Sequence, residues 1–190
     1  MTGRPAAGAV ILAAGESTRF GSDKRRFRLA DGRTMLETTI AVYSGVFEEI
    51  LLVLKIADKA WASRLDKVQL VYARDAALGM GHSLAAGVGA GRHLDFLFVA
   101  LADMPDIQAD TLMRLKDAMA GPESIVQPAY RGTPGHPVGF GRAHFNELRR
   151  LTGDLGARGV VRAHGESTLR IEVNDPGVLK DYDVPTRADT

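Results

Sequence analysis

Cysteine does not occur among the 190 residues, which excludes disulfides, thiolate metal sites, iron–sulfur clusters and a cysteine nucleophile. That absence is compatible with a reducing compartment, and a cytoplasmic location is the expectation. No apolar stretch approaches membrane-spanning length, and Met1–Gly8 carries only Arg4 with no run long enough for a signal peptide. Residues 1–7 are expected to be a disordered leader, followed by one domain over 8–190 with enough chain for a full core. Charge of one sign is lacking too: 24 Lys and Arg against 23 Asp and Glu leave a formal net charge of +1. Neither a nucleic-acid groove nor a membrane-binding face is expected from that balance, so any basic region should be local.

What the chain does have is alternation of apolar runs with amphipathic stretches. Ala9–Ala13, Ile50–Leu54, Val68–Tyr72 and Phe96–Leu101 read as strands, and the first, second and fourth are apolar enough to be buried on both faces. Met35–Tyr43, Lys59–Leu65 and Ser83–Gly91 read as helices between them. This order predicts a three-layer α/β fold with a mostly parallel sheet, whose ligands bind beyond the carboxyl ends of the strands. Thr111–Met119 reads as a further helix, capped by Asp110 and ended by Gly121-Pro122, and Ser124–Pro128 as a strand. Tyr130–Phe140 suits turns and a hairpin. Helical pattern resumes at Ala143–Leu151 and Ala157–His164, and Thr168–Val173 reads as a last strand.

The first strand runs into the most informative segment, where Leu12-Ala13-Ala14-Gly15 is followed by cations at Arg19 and Lys24. Small residues let a loop bring backbone N–H groups close to an anion, and the cations neutralise its charge. Neither a P-loop nor the dinucleotide fingerprint matches, because Gly15 and Gly21 are too far apart, no Gly-Lys-Ser/Thr follows and G-x-G-x-x-G is absent. A strand-to-helix turn with surface cations is the plain alternative. Asp103 follows a very apolar strand at the ligand edge, where it either forms a turn before Met104-Pro105 or holds Mg²⁺ against phosphate oxygens. Asp181 and Asp183 alternate, so an extended backbone sends only one of them toward a site.

The string L-A-A-G-x-S-x-R-F-G-x-x-K resembles the signature loop of the MobA-like nucleotidyltransferases, more closely the molybdenum cofactor cytidylyltransferase branch. Gly79-Met80-Gly81-His82-Ser83-Leu84-Ala85-Ala86-Gly87 resembles that family's second nucleotide-contacting segment, and Ala102-Asp103-Met104-Pro105 its metal-binding turn. Gly135-His136-Pro137-Val138 and Gly153-Asp154-Leu155-Gly156-Ala157-Arg158 resemble two acceptor-side segments, and Asp175-Pro176-Gly177 with Asp181-Tyr182-Asp183 a C-terminal acidic turn. The resemblance implies a Rossmann-like fold of the nucleotide-diphospho-sugar transferase type. It also implies transfer of CMP from CTP to molybdopterin with release of pyrophosphate. A molybdenum hydroxylase receiving the finished cofactor is the implied protein partner. A GTP donor, a sugar or polyol phosphate acceptor, and a non-catalytic cofactor-binding chaperone are the alternatives.

Roles follow from that likeness. Leu12, Ala13, Ala14, Gly15, Gly79, Gly81 and Ser83 are the nucleotide-binding candidates, although Ser83 equally suits a helix cap. Arg19 and Lys24 stabilise phosphate charge, the first as a bidentate fork and the second as a point charge. Asp103 is the catalytic metal ligand and Asp183 the second, since it precedes Pro185 as the family's aspartate precedes its proline; the family's Asp-Ile-Asp-Thr-Pro is altered here by Tyr182 and Val184. His136, Asp154 and Arg158 are acceptor-binding candidates. Arg25, Arg26 and Arg28 replace residues that the family keeps apolar or proline and read as solvated surface, as do His93, His144 and His164.

Overall fold

The structure is a computed structural model that describes residues 5–15 and 23–182. Its strands are β1 (Ala7–Leu12), β2 (Glu49–Lys55), β3 (Gln69–Ala73), β4 (Phe96–Leu101), β5 (Ile125–Tyr130), β6 (Thr133–Pro134), β7 (Val138–Gly141) and β8 (Thr168–Glu172). The helices are α1 (Met35–Ser44), α2 (Lys59–Ala62), α3 (Met80–Ala90), α4 (Ala109–Asp117), α5 (Phe145–Leu148) and α6 (Arg158–Ala163). Side-chain alternation along the apolar strands builds the layers. Ile11, Leu52, Leu54, Phe98 and Ala100 face one side of the sheet, and Val10, Leu51, Val53, Leu97 and Val99 the other. Both sets are buried, so the sheet has to be covered twice. Leu36, Ile40 and Tyr43 of α1 with Leu112 and Leu115 of α4 close the first face. Leu84 and Val88 of α3, Phe145 and Leu148 of α5 and Val160 of α6 close the second.

The strand order is β3-β2-β1-β4-β7-β5-β6, with β8 paired to β5. From β3 to β4 the pairing is parallel; β7 runs antiparallel to both β4 and β5. The Rossmann-like three-layer expectation holds, and the antiparallel β7 was hidden by its own composition. Its Gly139 is needed because a Cβ there would lie 2.6 Å from Phe98 and 2.7 Å from Val126, and glycine erases the strand signal. Order also begins inside the expected leader. The Ala6 carbonyl accepts from the Asp95 and Phe96 amides, and Ala7 opens β1. No described helix is long and apolar enough to cross a membrane.

Helix ends differ in instructive ways. Thr34 and Glu37 form a reciprocal capping box that starts α1. The cap expected of Asp110 for α4 is supplied from far away in the chain. Asp110 sits inside the first turn, while the buried Asp175 carboxylate accepts from the Gln108 amide at 2.9 Å and the Thr111 hydroxyl at 2.8 Å. Gly79 precedes α3, so Ser83 lies one turn inside that helix and does not cap it.

Candidate active site

Beyond the carboxyl ends of β1 and β4 the chain leaves the sheet in two small-residue turns. The last ladder contacts there are the Ala13 amide to Val53 and the Ala102 amide to Leu12. Past them opens a cavity of about 460 Å³, lined by Leu12, Ala13, Ala14 and Gly15 on one wall and by Gly79 and Ser83 on the other. Gly79 holds φ +122° and ψ 168°, a region reserved for glycine. A Cβ at this position would also meet the Gly153 carbonyl at 2.4 Å and an Asp154 carboxylate oxygen at 2.6 Å. At the floor, the Lys24 ammonium donates to Asp103 Oδ2 at 2.5 Å, each side chain about one-fifth exposed (20% and 17%). Asp103 is a hard oxygen donor at the ligand edge, which fits Mg²⁺, an ion that takes one or two carboxylates alongside phosphate oxygens and waters.

Arg25 is not the surface residue expected from sequence. Its guanidinium is buried and donates through all five N–H groups: Nε and Nη2 to Asp23, Nη1 and Nη2 to Asp58, and Nη1 to the Ala13 carbonyl at 2.7 Å. The ring of Trp61 lies 5.2 Å below it, a cation–π contact. Burial alone would raise the Asp58 carboxyl, but its bonds and ion pair with Arg25, aided by the Trp61 indole and the Lys55 amide, hold it below the usual carboxylate range. Burial would likewise lower the Arg25 guanidinium, and the two aspartates instead raise it. The arginine thus ties the β1 exit to the short helix α2, and it lines the cavity wall. Arg26 is exposed, as expected.

A second cavity, of about 750 Å³, adjoins the first and shares with it Leu12, Met80, Leu101 and Asp154. A bulge shapes it. Ala129 pairs with Pro134 and Val126 with Gly139, so residues 135–138 stand opposite only 127–128. The surplus leaves the ladder: the Gln127 side chain donates through Nε2 to the Gly135 carbonyl at 3.1 Å, and the His136 backbone amide turns to the Val178 carbonyl at 2.9 Å. His136 therefore faces the cavity, with its Nδ1 buried and without a hydrogen-bond partner. Burial, reinforced by the Arg158 charge, holds its imidazole below the ordinary value against the opposing pull of Asp103 and Asp181. Arg158 lines the same cavity, as do Arg162, Arg170 and Asp181. The Tyr182 amide donates to the Asp103 carbonyl at 3.2 Å, which brings the C-terminal segment beside the first cavity.

The structure therefore gathers Leu12, Ala13, Ala14, Gly15, Lys24, Gly79, Ser83 and Asp103 around one cavity, His136 and Arg158 around the next, and Asp154 at both. Gly81 is the exception. It lies within α3, packed so that a Cβ would meet the Thr152 carbonyl at 2.8 Å, and its amide bonds Gly153. Arg19 and Asp183 lie outside the described residues. Sequence reasoning missed Lys55, which lines the first cavity; its place directly after the apolar run Ile50–Leu54 was the available signal. It also misplaced His144, which is 5% exposed and not on the surface.

Comparison with known proteins finds relatives in sequence and in fold. The family model described as the MobA-like NTP transferase domain matches residues 9–168. The purine catabolism protein PucB of Bacillus subtilis (strain 168) is 29% identical over 196 residues, covering 95% of this chain and 93% of that protein. The nicotine blue oxidoreductase of Paenarthrobacter nicotinovorans is 28% identical, with 96% and 94% covered. Among solved structures, Rv0371c of Mycobacterium tuberculosis H37Rv in complex with manganese superposes with a TM-score of 0.75 at 28% identity, covering 97% of this chain and 94% of that one.

Proposed function

The chain belongs to the MobA-like NTP transferase family, and from that premise we propose that it moves CMP from CTP to a molybdopterin-type acceptor, releasing pyrophosphate. The observation that carries this reading is the pair of adjoining cavities that share one wall, with Lys24 and Asp103 at the floor of the first. A nucleotide in the first cavity and a phosphorylated acceptor in the second would meet at that wall. Holding both in line for displacement at the α-phosphorus is most of the catalysis such a transfer needs. Lys24 would exchange its bond to Asp103 for the phosphates and offset charge on the leaving pyrophosphate. Asp103 would hold a divalent cation, with Asp183 as its second carboxylate; when bound, that ion would offset the negative charge of the phosphates. The manganese complex of Rv0371c supports use of a divalent ion. His136, Asp154 and Arg158 would bind the acceptor, His136 through its unpartnered ring nitrogen.

Ala14 would bias base choice. Its methyl lines the cavity at a position where the family resemblance implies glycine in most GTP-using members, and one methyl in a pocket discriminates by about 1–3 kcal/mol. In a competition assay with a phosphorylated acceptor, CTP should be incorporated ahead of GTP, and Ala14→Gly should narrow the preference without abolishing it. Equal incorporation of GTP by the unmutated chain would overturn the cytidylyl assignment. A full-length relative bearing an oxidoreductase name favours a second reading, in which the cavities bind a heterocycle for electron transfer. Pyrophosphate release separates the two.

A further inference from the structure

On the face of the sheet that carries α5 and α6, away from the nucleotide cavity, His144, Glu147 and His164 come together. One ring nitrogen from each histidine and a Glu147 carboxylate oxygen all lie within 4.8 Å of one another. The Glu147–His164 pair is already in contact at 3.0 Å. The rings of His144 and His164 sit edge to face, with centroids 4.7 Å apart. We propose that these three side chains form a binding site for a divalent transition metal such as Zn²⁺, separate from any metal at Asp103.

Three features of the local structure argue for it. His144 closes the turn Arg142–His144 that leads into α5, so Glu147 follows one helical turn later on the same side. His164 is the residue that ends α6, which brings the third donor from a different element. His144 Nε2 donates to the Glu123 carbonyl at 3.1 Å, since a carbonyl can only accept. That bond fixes the tautomer in which Nδ1 keeps its lone pair, the outer-shell arrangement typical of metal-ligating histidines. Two imidazoles and one carboxylate are a donor set that zinc accepts, with the fourth position open to water. Zinc bonds of about 2.0–2.1 Å require donors roughly 3.3 Å apart. Closing the triad asks for up to about 1.5 Å of movement, available at His164 and Glu147, whose side chains are partly exposed. The ion would link the end of α6 to α5, and Arg158 at the start of α6 lines the acceptor-side cavity.

Calorimetric titration of the metal-stripped full chain with Zn²⁺, in an Asp103→Asn background that removes the first metal ligand of the nucleotide cavity, tests the site. One equivalent should bind and raise the thermal midpoint. Glu147→Gln and His164→Ala should each weaken that binding by about tenfold or more; both residues are surface-accessible, and circular dichroism verifies the fold. Absence of zinc uptake by the Asp103→Asn chain, or uptake undiminished in both triad variants, would overturn the assignment.

Discussion

Arg25 decides more of the local structure than its place in a basic run implied. With every donor engaged and Asp58 as its partner at the α2 end, Arg25→Ala would strand a buried carboxylate. Breaking such a pair from one side typically costs about 3–5 kcal/mol, and Arg25→Lys should recover little because an ammonium lacks the planar fork. Urea unfolding checks this; a loss below about 0.5 kcal/mol, the size of an ordinary surface change, would contradict the role. Burial of Arg25 was not legible in the sequence. Its neighbours Lys24 and Arg26 are cationic too, and only the distant Asp58 and Trp61 reveal that the side chain turns inward. His136 supplies a second residue-scale prediction. An imidazole held below its unfolded value binds protons less readily when folded, so unfolding takes up a proton and stability falls as pH drops through about 6.5. The stability advantage of wild type over His136→Gln should therefore shrink between pH 7.5 and pH 5. Parallel profiles for the two proteins would contradict it.

Among the elements, Asp175 joins the C-terminal segment to the start of α4. Its carboxylate accepts from the Gln108 amide, the Thr111 hydroxyl and the Gly177 amide while 1% exposed. Asp175→Ala should destabilise the fold by about 3 kcal/mol, the scale of losing charge-assisted bonds at buried donors, and Asp175→Asn by less. Thermal denaturation of the two variants measures the difference, and equal midpoints for wild type and Asp175→Ala would show that α4 needs no such cap. The acidic turn was visible in the sequence as a motif, but its partner was not, because a cap contributed across 64 residues leaves no local pattern. The parallel strands were legible for the opposite reason. β1, β2 and β4 are buried on both faces, so their apolar runs are continuous. The β6–β7 bulge that aims His136 was readable only as a Gly- and Pro-rich stretch, since a bulge is defined by the register of the opposing strand.

For the molecule as a whole, one sheet serves two tasks. Its parallel half, from β3 to β4, ends at the first cavity, and its mixed half around β5 frames the second. Each cavity has its own cations, Lys24, Arg25 and Lys55 at the first and Arg158, Arg162 and Arg170 at the second. Such a division suits one anionic donor and one anionic acceptor meeting at a shared wall. The most direct test is to incubate the full chain with CTP, Mg²⁺ and molybdopterin and to quantify pyrophosphate and the acceptor-linked CMP together. Equimolar appearance of the two is the predicted result. CTP left intact, with no pyrophosphate formed, would contradict the account.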